Sequence, residues 1–522
     1  MFLSIDDVNL KKKYILLSPR LKHNSQQIYM LLLGIDLGTS FIKVSVVDAA
    51  TQQAVASVQY PDKEATITSL QAGWAEQSPD NWWNDVQKAI LLAHATGLYN
   101  PSDIAAIGIS YQMHGLVVVD KNHKVLRDAI IWCDSRSVEI GNQAFEKIGA
   151  EKSLSHLLNS PGNFTASKLA WVKRNEPEIF SQIHKAMLPG DFIAMQLTGE
   201  ISTTPSALSE GILWDFKTES LSQDVLDCYG FSADIFPSIK EVFTTHGKVK
   251  PEIASVLSLK ADIPVSYKAG DQPNNALSLN VLKPGEVAAT AGTSGVIYGV
   301  SDTLKYDPKS RVNTFAHVNH TANHKHLGVL LCINGTGIMN RWVKDNIAGG
   351  LSYDEINKKA ETVNAGCDGL QVLPFGNGAE RILSNKLLGA QILNLDLNIH
   401  TQAHIFRAVQ EGICFAFRYG LDIMREAGIQ PKIIKAGKAN LFLSEVFAQI
   451  FVNVCQAPVE LYKNDGSTGA ALGAGIGVGI FSNFEAAFSN MKPIKLIEPE
   501  KEHPYEALYQ QWKTILENKL IK

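Results

Sequence analysis

Residues 265–300 read VSYKAGDQPNNALSLNVLKPGEVAATAGTSGVIYGV. An apolar run ends at Ala269 and Gly270, and Asp271 stands on the break, with Asn274 and Asn275 close behind. A second apolar run, residues 286–291, turns through Gly292, Thr293, Ser294 and Gly295 and resumes over residues 296–300. Short runs of small and β-branched residues bounded by glycine predict strands. An acid just past a strand can accept a hydroxyl proton, and a Gly/Thr/Ser turn can offer backbone N–H groups to phosphate oxygens. The same residues would also serve as a helix-capping acid and an ordinary hairpin.

An echo upstream narrows the choice. Residues 31–47, LLLGIDLGTSFIKVSVV, again give strand, Gly/Thr/Ser turn, strand, with Asp36 near the end of the first strand. The turns Gly38, Thr39, Ser40 and Gly292, Thr293, Ser294 are separated by roughly 250 residues, a domain-scale repeat. Two such hairpins facing one another could hold a nucleotide's phosphates from both sides.

Composition bounds the rest. A chain of 522 residues is expected to form at least two domains. Its net charge of −4 gives no basic excess for a nucleic-acid backbone, so nucleic acid is set aside as a partner. Six scattered cysteines suggest neither a zinc site nor a disulfide framework, and a reducing, cytoplasmic setting is the simplest expectation. No apolar run is long enough for a membrane span. Residues 1–29 carry Lys11, Lys12 and Lys13 without a following apolar core, and Met30 directly precedes the first strand. They are expected to be an extension outside the fold.

Along the chain, strands alternate with helices, which predicts an α/β fold with mixed sheets. Pro79 is expected to open a helix. Residues 168–174 and 191–197 read as helical, whereas residues 203–206 and 213–215 read as loops. Residues 401–427 read as one long helix with Ile405, Val409, Ile413 and Phe417 at helical spacing.

The motifs LLLGIDLGTSFIKVSVV, WAEQSPDNWW, YQMHG, WCDSR, AGDQPNN, ATAGTSG and IIKAGKAN…GSTGAALGAGIG, in this order, resemble the FGGY carbohydrate kinases, nearest to their xylulokinase branch. The resemblance runs from Met30 to about residue 515. It implies a duplicated actin/hexokinase-like (ribonuclease H-like) ATPase fold with the active site in an interdomain cleft. It also implies a sugar-binding domain over 30–280, a nucleotide-binding domain over 281–522, and ATP-dependent phosphorylation of D-xylulose at its 5-hydroxyl. Another sugar or polyol, such as ribulose, gluconate, fuculose or glycerol, is the alternative. A catalytically silent ATP-binding sensor is a further one.

By the same resemblance Asp271 is the general base and Asp36 holds Mg2+. Gly38, Thr39, Ser40, Gly292, Thr293 and Ser294 contact phosphates, with Lys43 either joining them or remaining a solvated strand residue. Gln112, Met113, His114, Trp132 and Gln272 contact the sugar, and Asp134 and Arg136 are candidates for shaping its pocket. Gly437, Lys438 and Asn440 approach the nucleoside. Gly469, Gly473 and Gly475 either do the same or let helices pack. Glu380 and Arg381 form either a functional loop or a surface ion pair. The chain departs from the family pattern at Gln272, usually Asn, and at residues 436–440, where successive glycines are usual. The expected partners are the sugar and ATP, with no membrane, and a homodimer is compatible with the sequence.

A chain beginning at Met30 is expected to fold and keep full activity, as circular dichroism and turnover would show. Loss of either would contradict the assignment of residues 1–29 as an extension.

Overall fold

The computed structural model describes residues 30–463 and 465–521; the expected N-terminal extension lies outside them. Two mixed sheets repeat one topology. In the first, Leu31–Leu37, Ile42–Asp48 and Gln53–Tyr60 form an antiparallel meander. Ile104–Tyr111 then pairs parallel to the first strand, and Pro264–Gly270 parallel to that. In the second, Val287–Ala291, Gly295–Ser301 and Leu327–Ile333 make the meander. Ile434–Gly437 and Val459–Tyr462 are its parallel partners. The edges add Phe243–Lys248 to the first sheet, and Asn313–Ala316 and Lys495–Ile497 to the second. The echo seen in the two Gly/Thr/Ser turns is therefore a duplication of the whole five-strand core.

Parallel strands buried on both faces need near-continuous apolar sequence, and LLLGIDL and IAAIGISY supply it. The long helix of the C-terminal half runs over Gln402–Glu426. Of the four residues at helical spacing, Val409, Ile413 and Phe417 are completely buried, and Ile405 is partly buried against the same core. Trp512 closes that core, and its indole N–H donates to the Val372 carbonyl at 2.8 Å.

The halves are joined by a glycine-rich helix. Gly466–Gly477 follows the last parallel strand of the second sheet but lies on the first. A Cβ on Gly34 would sit 1.8 Å from the Ser467 carbonyl oxygen, and one on Gly108 1.9 Å from that of Ala470. The helix reciprocates: Gly469 meets Ser278, Gly473 the Tyr267 ring, and Gly475 Phe481 and Leu32. These three glycines serve close packing. Buried hydroxyls of Ser45 and Ser467 complete the contact at 2.8 Å.

On the opposite rim the edge strand Asn313–Ala316 meets the N-terminal half. Asn159 exchanges two hydrogen bonds with the Thr314 backbone, at 2.6 and 3.0 Å. Ser206 donates to the Ala316 carbonyl at 2.9 Å, and the Ala316 N–H donates to Ser209 at 2.8 Å. The two halves thus meet at a second place as well. Residues 203–206, expected as loop, instead end a short strand and cap the helix Pro205–Glu210, through Thr204 Oγ1 accepting from the Ala207 N–H at 3.1 Å. Residues 213–215 likewise contain a two-residue strand, Trp214–Asp215. Among the described residues no helix is long and apolar enough to cross a membrane.

Gly34→Ala and Gly108→Ala place a methyl against backbone that cannot yield. Each is expected to destabilise the fold by about 3 kcal/mol or more in chemical denaturation. A loss under about 0.5 kcal/mol would show that the helix can lift from the sheet.

Candidate active site

Asp271 is the first residue of the helix Asp271–Ser278, directly after the strand Pro264–Gly270. Burial lifts its carboxyl to about 7, and the Asp36 charge adds to the lift; hydrogen bonds from Gln272 work the other way. A carboxylate at a helix N-terminus is normally favoured, so desolvation outweighs the dipole here.

Asp36 lies next to the end of the first strand and opposite Lys43. Ser110 Oγ donates to its Oδ1 at 2.8 Å. Burial raises its pKa, and the Asp465 charge raises it further, while Ser110 and Lys43 lower it. A Cβ on Gly466 would come within 2.6 Å of Asp36 Oδ2, so only glycine lets the joining helix start against this acid. Lys43 is 43% exposed and stands 3.9 Å from Asp465. Asp36 offers a hard carboxylate oxygen, the donor type that Mg2+ takes.

The first turn is held from outside. Gln77 Nε2 donates to the Thr39 carbonyl at 2.8 Å, and the Ala65 N–H to that of Ser40 at 2.8 Å. Thr39 Oγ1 donates to Gln112 Oε1 at 3.3 Å and accepts from the Trp132 indole at 2.9 Å. The Gly38 N–H points inward to the Phe41 and Asp36 carbonyls. Trp132 is thus half exposed beside the turn, not a core residue. In the second turn the carbonyls are tied to the start of the helix Gly337–Asn346. The Gly337 N–H reaches the Gly292 carbonyl, and the Ile338 N–H that of Thr293, each at 3.1 Å. Tethered carbonyls aim the amide N–H groups of the turn the other way, where an anion could take them. Asn440, in the left-handed region at φ 53°, brings its amide beside Gly292: a Cβ there would be 3.4 Å from Asn440 Nδ2. The 292–294 and 437–440 turns therefore meet, with Lys438 held through its N–H to the Tyr462 carbonyl at 2.8 Å.

Met113 and His114 form the wall beside Asp271. A Cβ on Gly270 would meet Met113 Cγ at 2.6 Å and the Glu210 carboxylate at 3.2 Å. His114 sits at φ 61°, a strained conformation for a residue with a Cβ. The strain is held by three contacts. The His114 N–H donates to Glu210 Oε2 at 3.3 Å, Nδ1 lies 2.9 Å from the Glu210 carbonyl, and Lys168 Nζ donates to the His114 carbonyl at 2.8 Å.

Glu210 and Lys168 were not singled out by sequence. Glu210 is buried, takes the Tyr111 hydroxyl at 2.7 Å, and has its pKa pushed well up by desolvation, with the Asp271 charge adding to the lift. Lys168 is fully buried, which drops its pKa to about 7. A lone acid in the small, apolar run after Pro205 was the signal available for Glu210.

Two expectations are corrected. Glu380 and Arg381 are no surface pair: Glu380 is buried and accepts the N–H groups of Asn334 and Gly335 at 3.0 and 2.9 Å. Arg381 reaches Asn313 at 2.8 Å and lies over the Phe164 ring, across the cleft. Asp134 and Arg136 do not line the pocket. Their side chains are buried against each other, with Arg136 between Trp74 and Trp171.

The N-terminal domain of the FGGY family of carbohydrate kinases matches residues 31–278, and its C-terminal domain residues 287–478. The xylulose kinase of Lactococcus lactis is 30% identical over 93% of this chain and 96% of its own. That of Escherichia coli is 30% identical over 88% and 92%. Among solved structures, a xylulose kinase from Lactobacillus acidophilus covers 94% of this chain and 98% of its own at TM-score 0.85 and 24% identity. A gluconate kinase from the same organism matches over the same shares with the same TM-score and identity. The glycerol kinase of Plasmodium falciparum covers 95% and 99%, at TM-score 0.84 and 20% identity. These three share the two-domain fold. The chain belongs to the FGGY family of carbohydrate kinases, enzymes that phosphorylate a sugar at the expense of ATP.

Proposed function

We propose that this kinase phosphorylates D-xylulose on its 5-hydroxyl, with Asp271 as general base. The observation that carries the reading is the position of Asp271. It stands at the end of a parallel strand, its charge coupled to Asp36 on the phosphate side and to Glu210, which holds His114, on the other. The substrate rests on xylulose kinases at 28–30% identity over most of the chain. The gluconate and glycerol kinases of the same fold keep another acceptor as the second reading.

In this account His114 and Met113 orient the sugar so that one hydroxyl faces the Asp271 carboxylate. Asp271 takes that proton as the oxygen attacks the γ-phosphorus in line. The amide N–H groups of Gly292, Thr293 and Ser294 and of the Thr39 and Ser40 turn neutralise phosphate charge. Asp36 would hold Mg2+, which when bound supplies further charge neutralisation on the phosphates. Positioning and charge stabilisation provide most of the acceleration, and the base about 10²–10⁴-fold. Closure of the cleft around ATP and sugar would exclude water and limit idle ATP hydrolysis.

Asp271→Asn is expected to keep the fold and lower kcat at least about 100-fold. A panel of D-xylulose, L-ribulose, D-ribulose, L-fuculose, gluconate and glycerol in a coupled ATP assay is expected to give the highest kcat/KM on D-xylulose. Near-normal turnover in the variant would overturn the base, and a clear preference for another acceptor would overturn the substrate.

The base works only when ionised, so kcat/KM is expected to fall as pH drops through an acidic limb near 7, where burial and Asp36 set the Asp271 carboxyl. If Asp36 holds Mg2+, the metal's charge would offset that of Asp36, and the limb would lie at lower pH at higher Mg2+ concentration. A profile flat down to about pH 5 would contradict a base with a raised pKa.

A further inference from the structure

We propose that Glu380 and Arg381 form one coupling element, through which a sugar in the cleft sets the second phosphate turn. Arg381 donates to the sugar from the C-terminal half. Glu380, its neighbour in the chain, is a positioning residue for the loop that carries the turn. The inference rests on the sugar-kinase reading above.

The arm toward the phosphates is continuous. The Glu380 carboxylate takes the N–H groups of Asn334 and Gly335 on separate oxygens, at 3.0 and 2.9 Å. The Asn334 side chain donates back to the Ala379 carbonyl at 2.8 Å. Thr336, the next residue, donates its hydroxyl to the Gly292 and Thr293 carbonyls at 3.4 and 3.3 Å. The N–H groups of Gly337 and Ile338 reach the same two carbonyls. The path has no slack. A Cβ on Gly335 would sit 2.1 Å from the Pro374 carbonyl oxygen, and one on Gly337 2.1 Å from that of Gly292. Close packing of this kind transmits a shift of Glu380 to the turn.

The other arm faces the N-terminal half. Arg381 Nη1 donates to Asn313 Oδ1 at 2.8 Å. Asn313 opens the edge strand that meets Asn159 and Ser206. The guanidinium lies 5.6 Å from the centre of the Phe164 ring, which itself packs against Phe315 at 6.0 Å. Arg381 is only partly buried, and among the described residues Nε and Nη2 have no acceptor. A guanidinium holds five N–H donors in a fixed plane. Open donors of this kind beside the cleft suit the oxygens of a polyhydroxylated ligand. With the cleft empty they are left to water, so the arm is fixed only when the ligand is in place.

The test measures, by calorimetry on the full chain with Mg2+, the Kd of an unreactive β,γ-imido analogue of ATP with and without saturating D-xylulose. In the wild type the sugar is expected to tighten the analogue about fivefold or more. Glu380→Gln, which does not touch the sugar, is expected to keep the Kd for D-xylulose and to lower the coupling factor below about twofold. Arg381→Lys keeps the charge but loses the fork. It is expected to weaken D-xylulose about tenfold and to lower the factor as well. A purely structural role would lower the melting temperature and leave the factor intact. A wild-type factor in both variants, or no factor in the wild type, would overturn the proposal. If Glu380→Gln does not fold, Arg381→Lys decides alone. If D-xylulose fails to bind the wild type but another acceptor binds, only the substrate reading falls, and the factor is measured with that acceptor. Binding of no acceptor would overturn both readings.

Discussion

The rest of the structure depends on a near-contact of backbones, where the Gly466–Gly477 helix lies on the N-terminal sheet over Gly34 and Gly108. Residue 466 starts that helix against the Asp36 carboxylate, and its carbonyl accepts from Asn274, three residues past Asp271. One packing contact therefore fixes the two acids relative to each other and ties the last parallel strand of one sheet to the first sheet. Any side chain at these glycines would push the halves apart and open the distance on which phosphoryl transfer relies.

Electrostatics follow from the same arrangement. Asp36, Asp271 and Glu210 are carboxyl groups in one partly dry region, and burial is the first cause of the raised pKa in each. Like charges then add, so the group is costly unless cations neutralise it. Lys43 stands beside Asp465 and the first Gly/Thr/Ser turn, whereas Lys168 lies behind the His114 turn. A bound metal would relieve the repulsion at Asp36 and leave Asp271 ionised for its task. Glu210 has its own stabilisation, from the Tyr111 hydroxyl and the His114 N–H.

Much of this was legible in the sequence. The duplicated strand–turn–strand signal at 31–47 and 286–300 announced the fold, because strands buried on both faces leave an unbroken apolar record. Asp271 and His114 stand in local motifs that the sequence displays. Glu210 and Lys168 were not legible, since each acts on a turn some 50 or 100 residues away in the chain and neither stands in a marked pattern. Residues 203–206 looked like loop because Thr, Pro and Ser are turn residues, but Thr204 and Pro205 are also a helix cap and first residue. Glu380 and Arg381 are adjacent opposites, which suggests a pair. Burial separated them, one to the backbone of Asn334 and Gly335 and the other to the cleft. The glycines at 469, 473 and 475 carry no mark that tells close packing from ligand approach.

The most direct test of the central claim is the product itself. D-xylulose, ATP and Mg2+ incubated with the full chain can be followed by 31P and 13C NMR. The account predicts ADP and a single phosphomonoester, carried on C5, formed in equal amounts. ADP formed at the same rate without sugar, or a phosphoester on another carbon, would contradict it.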